Sequence, residues 1–143
     1  MKFKGTIIIT DPCYITKNED YERTNYGNDL DMLGFSTFLV ADTGFGDWSN
    51  YITKDTGEEL GQFCADSGQV CVVLKQELDN YNPDFFLDCA SHTYAKVEDF
   101  EGDIEIDRSC DWWTVIRGEG NINFTSDIPE DDTDEEEWDE DEE

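Results

Sequence analysis

The chain has 143 residues and carries 37 Asp or Glu against 9 Lys or Arg, a formal charge of −28 at neutral pH. That length suits one domain with a single ordinary core. So large an acidic excess argues against direct nucleic-acid binding, because neutralising phosphates needs a Lys/Arg surface.

From the N-terminus, residues 3–10 alternate, with Phe3, Gly5, Ile7 and Ile9 on one face, and stop at Asp11-Pro12. The period of two and the β-branched residues predict a strand. Residues 17–34 are polar, with short helical turns expected at Asp20–Arg23 and Asp29–Leu33. Phe35–Ala41 reads as a second strand, and Tyr51-Ile52-Thr53 as a third. Gln69–Lys75 is nearly all apolar, as in a central strand covered on both faces. A helical turn follows over Lys75–Asn80, ended by Pro83. The rest of the body reads as a meander of His92–Val97, Asp103–Asp107, Trp112–Arg117 and Asn121–Thr125. Glu101-Gly102 and Gly118-Glu119-Gly120 are its expected turns.

These elements predict a mainly β chain (β-rich α+β), an antiparallel partly open barrel or sandwich with short helical turns. Residues 1–128 form the expected globular domain and 129–143 an acidic, flexible tail. Residues 130–143 hold twelve carboxylates and no cation, so like-charge repulsion favours an extended segment. Fully stretched, it would reach about 46–50 Å. The body keeps 25 acidic against 9 basic residues, a charge of −16. The run Thr6-Ile7-Ile8-Ile9 is too short for a signal-peptide core or a membrane span. Cysteines at 13, 64, 71, 89 and 110 make an odd set, which suits reduced thiols. A cytoplasmic protein without membrane association is expected.

Three punctuated segments stand out: Thr10-Asp11-Pro12-Cys13-Tyr14, Gly44-Phe45-Gly46-Asp47-Trp48 and Phe63-Cys64-Ala65-Asp66-Ser67-Gly68. Asp11, Tyr14, Asp47, Trp48 and Asp66 are the candidate pocket residues. If the strand ends converge, the three aspartates could form an acid/base pair or hold a hard cation. The competing reading is that each caps a turn by accepting backbone N–H groups. Together the segments resemble uncharacterised small proteins of phages and prophages of Firmicutes, which pair a DPCY turn with Gly-Asp-aromatic and Asp-Ala/Ser-Gly turns. The resemblance covers roughly residues 1–100 and omits the tail. Asp66-Ser67-Gly68 stands where the family often has Asp-Ala-Gly. It implies a phage context, with the host cytoplasm as location, and no mechanism.

Other chemistry fails on spacing. Cys89-Ala90-Ser91-His92 offers half a zinc site, but no Cys-x2-Cys supplies the other half. Asp29–Gly34 opens like a calcium loop, yet Leu33 and Val40 stand where ligands are needed. His92 is the only histidine, which leaves Ser67 without an evident triad, and no phosphate-binding glycine loop is present. No catalytic residue, metal or cofactor is expected.

The remaining features favour a protein-binding inhibitor. It would compete with DNA or RNA for the basic site of a nucleic-acid-binding host protein, and the phage resemblance suggests a defence nuclease. The predicted contact residues are Glu130, Asp131, Asp132, Asp134, Glu135, Glu136, Glu137, Asp139 and Glu140, with Trp138 as an aromatic anchor. The alternative is a small-molecule, nucleotide-binding or metal-dependent hydrolytic domain built on the Asp/aromatic pocket.

Overall fold

A computed structural model describes residues 1–42, 49–64, 68–90, 93–110 and 113–129. Strand β1 (Lys2–Thr10) forms where the alternating N-terminal run was expected. It ends at a one-turn helix, α1 (Pro12–Ile15), which Asp11 caps and Pro12 opens. Proline suits this position because its missing N–H would be unsatisfied there anyway. A second short helix, α2 (Asn18–Tyr21), and a 3-10 turn over Leu30–Leu33 occupy the polar stretch.

Strands β2 (Phe38–Asp42), β3 (Ser49–Lys54), β4 (Glu59–Cys64) and β5 (Gln69–Leu74) follow. β2 starts later than its sequence suggests because the Glu77 carboxylate takes the Ser36 and Thr37 N–H groups, at 3.0 and 3.4 Å. Helices α3 (Lys75–Tyr81) and α4 (Phe85–Asp88) precede β6 (Tyr94–Cys110), β7 (Trp113–Gly120) and β8 (Phe124–Pro129).

All eight strands pair antiparallel in one open sheet, in the order β2-β5-β1-β6-β7-β8-β3-β4. The sheet curls, and β4 lies across β6, where a Cβ on Gly61 would sit 3.3 Å from that of Ala95. At another corner Thr114 of β7 donates its hydroxyl to the Asp42 carbonyl at 3.1 Å.

Two cores result from the alternation of β1 and β5. Ile7, Ile9, Val70 and Val72 point inward to a cluster that includes Phe3, Phe63, Phe100 and Phe124. Ile8, Cys71 and Val73 point outward to a second cluster with Ile15, Leu30, Phe35, Leu78 and Phe85. The helices therefore cover only the β5–β1 part of the outer face. The apolar run 69–74 is a central strand buried on both sides, as its composition requires.

The expected turn at Glu101-Gly102 is instead the middle of a 17-residue strand. Gly102 pairs with Gly120, and a Cβ on it would collide with the Glu119 carbonyl and the Gly120 backbone. The glycines allow close backbone approach rather than a reversal. Gly118 and Gly120 likewise lie in β7, and the chain reverses at residues 121–123. The irregularity of β6 sits at Asp99, whose φ of 54° marks a bulge opposite the Gly5–Ile7 step of β1.

Candidate functional site

Asp11 is fully buried where β1 gives way to α1, and its Oδ1 accepts the Cys13 N–H at 2.9 Å. The carboxylate thus acts as an N-cap, which orders the DPCY turn. Beneath it, Cys71 pairs in register with Thr10. Burial pushes the Cys71 thiol well above its usual range, and the charge of Asp11 adds to the effect. Such a thiol is protonated and inert. Tyr14 is half-buried against the outer core.

Asp47, Trp48, Asp66 and His92 lie outside the described residues, as do the tail contacts Glu130–Glu143 including Trp138. One flank of each of the segments 43–48 and 65–67 shares a sheet end with Asp11. Asp42 pairs with Gln69, Ser49 with Cys64, and Thr10 with Cys71. The chain that enters 43–48 and the chain that leaves 65–67 are therefore at the end of the sheet that carries Asp11.

The described surface is polyanionic in a specific way, because most cations are already neutralised by the chain itself. Lys2 lies 3.0 Å from Asp103, Arg23 2.6 Å from Asp20, and Lys54 3.3 Å from Glu58. Lys75 lies 2.8 Å from Asp79, and Lys96 3.3 Å from Glu98. Exposed pairs of this kind add little stability. They do consume the groups that a phosphate ligand would need.

An antiparallel sheet commonly leaves one face to water, and here that face is acidic. Along β6, Glu101, Asp103, Glu105 and Asp107 point outward, alternating with Gly102, Ile104 and Ile106. Each two-residue step advances about 6.6–6.8 Å, so the strand holds a regular row of carboxylates. Asp103 is held by Lys2, and Glu105 stands opposite Arg117 in the β6–β7 register.

One charged cluster escapes a reading by motif. Asp20 is buried, its Oδ2 accepting the Tyr81 hydroxyl at 2.6 Å and its Oδ1 the Arg23 guanidinium. The Tyr81 oxygen in turn accepts the Lys17 N–H at 2.9 Å. The Tyr81 bond, then the Arg23 bond, hold the Asp20 carboxyl below its ordinary value. Burial and the bond to Asp20 push Tyr81 up to about 12. The group ties α2 to α3 across 61 residues of sequence, so no local spacing could reveal it.

Among the described residues no three His, Cys, Asp or Glu side chains are arranged to hold a metal ion. No helix among them is long and apolar enough to cross a membrane. Among the described residues the cavities include open grooves, such as one of about 420 Å³ between Lys4 and Asn80. Comparison with family models, curated proteins and solved structures finds no match for the chain.

Proposed function

We propose that this protein is an acidic inhibitor that binds a basic, nucleic-acid-binding protein and competes with DNA or RNA for its site. The observation that carries this reading is the charge arrangement on the folded body. Five of its cations are committed to internal ion pairs, while β6 presents Glu101, Asp103, Glu105 and Asp107 on one outward face. A row of fixed carboxylates offers a cationic channel the contacts that phosphates would make, with little chain entropy to lose on binding. Residues 130–143 add twelve more carboxylates and Trp138 as a second arm. In the phage setting that the sequence resembles, a host defence nuclease is a fitting target.

The test is capture from a bacterial lysate with the full chain, followed by elution with duplex DNA. A retained nucleic-acid-binding protein that DNA displaces supports the proposal. Retention should fall at least several-fold when the four β6 carboxylates are replaced by amides, or when those of the tail are. Capture that is insensitive to both changes would exclude it.

A second reading rests on a different observation, that one flank of each of the segments 43–48 and 65–67 leaves the sheet at the end where Asp11 caps its turn. A carboxylate there, with Tyr14 beside it, suits a small-molecule or metal-dependent hydrolytic pocket that also uses Asp47, Trp48 and Asp66. Under this reading chelation, or Asp11→Asn and Asp66→Asn without unfolding, abolishes ligand binding and leaves protein capture intact.

A further inference from the structure

The two edges of the sheet, β2 and β4, differ in how well they resist further pairing. β4 is blunted: its register with β3 shifts between Ile52 and Thr53, Gly61 weakens it, and exposed Glu59 opens it. β2 carries none of these devices. Phe38-Leu39-Val40-Ala41-Asp42 pairs with β5 in unbroken register, from Phe38 with Val73 to Asp42 with Gln69. It holds no Pro, Gly or Lys, and its one charge is the terminal Asp42.

Burial shows where β2 is open. Phe38 and Val40 pack against the outer core and Leu39 against the inner one, so both faces of the strand are covered. Phe38, Leu39, Val40 and Ala41 nevertheless all stay partly exposed, whereas Val70, Cys71, Val72 and Val73 of the adjoining β5 are fully buried. The exposure therefore enters through the edge. An antiparallel strand bonds its two neighbours from alternating positions, and the side of β2 away from β5 has no strand partner among the described residues. The Glu77 carboxylate draws off the Ser36 and Thr37 N–H groups where this edge begins. The Thr114 hydroxyl meets the Asp42 carbonyl where it ends.

Charge selects the occupant. A second copy of the chain would bring two molecules of −28 together at a strand spacing of about 4.8 Å. That is well inside the screening distance of about 8–10 Å. A cationic strand meets attraction there instead. Apolar residues at its centre would extend the two cores beside Phe38, Leu39 and Val40, and Lys or Arg at its ends would face Asp42 and the −16 body.

We propose that the open edge of β2 receives an extended segment of the protein partner, apolar at its centre and flanked by Lys or Arg, as a further strand of the sheet. This inference rests on the acidic-inhibitor reading and adds a backbone contact to its charged ones.

The test is amide hydrogen exchange, residue by residue, on the full chain mixed with a synthetic peptide of alternating Val and Thr with Lys-Arg at each end. Two further forms carry N-methyl groups on alternate backbone nitrogens, one form for each edge of the peptide, and keep every charge. The parent peptide and one methylated form should slow exchange within residues 38–42 several-fold. The form methylated on the edge that faces β2 should not. Slowing confined to β6 or to residues 130–143, or shared equally by all three peptides, would overturn the edge site and leave the inhibitor reading standing. Protection of 38–42 that grows with protein concentration, without peptide, would place a second copy there and also overturn it. No binding of the cationic peptides anywhere on the chain at low salt would overturn both.

Discussion

Asp20 receives the Tyr81 hydroxyl and the Arg23 guanidinium at 2.6 Å each, so one buried carboxylate joins α2 to α3. Tyr81→Phe removes the donor to Asp20 and the acceptor of the Lys17 N–H. It should cost about 1–2 kcal/mol, read from the urea midpoint. The pH dependence has two signs. The Asp20 carboxyl is depressed below 3.8, so its contribution is complete above that pH and is lost as pH falls further. Tyr81 is raised from 10.0 to about 12, so its contribution holds below pH 10 and is lost as pH rises toward 12. Tyr81→Phe should flatten both limbs of the stability profile, and parallel profiles would contradict the clamp. Legibility differed sharply between the two buried aspartates. The cap at Asp11 was readable as a turn cap, because Asp routinely accepts a backbone N–H two residues on, whereas the one-turn helix it opens was not expected. The Asp20 hub was not, because its partner Tyr81 arrives from a distant helix.

At the scale of elements, the strands with strong local patterns were legible. β1 and β5 announced themselves through alternation and a continuous apolar run, and the β7–β8 hairpin through its flanking strands. β4, Glu-Leu-Gly-Gln-Phe-Cys, gave no such signal, since it is an edge strand with a glycine at its tightest contact. β6 misled for the same physical reason, because a glycine needed for close strand approach looks identical in sequence to a turn glycine. Gly102→Ala should therefore destabilise the protein by about 2–3 kcal/mol, as overpacking does. Glu101→Ala, one residue away and exposed, should stay within about 0.5 kcal/mol. Equal midpoints for the two variants in urea would show that the β6–β7 contact is looser than described. The candidate pocket was legible only as a set of turns. The register shows that one flank of each shares a sheet end with Asp11, which no spacing along the chain could show.

Across the whole molecule, a body of −16 with most of its cations internally paired must resist its own charge. Salt screens that repulsion over about 8–10 Å at physiological ionic strength. The same screening weakens attraction to a basic partner. Stability and partner binding should therefore respond to salt in opposite directions, which separates a charged recognition surface from a merely acidic, solubilising one. The most direct measurement is a salt series on the full chain with the protein it captures, recording its melting temperature and the complex's Kd side by side. The account predicts a melting temperature that rises with salt, a Kd that weakens steeply, and release of the partner by DNA. A Kd that is flat with salt, or a complex that DNA does not displace, would contradict it.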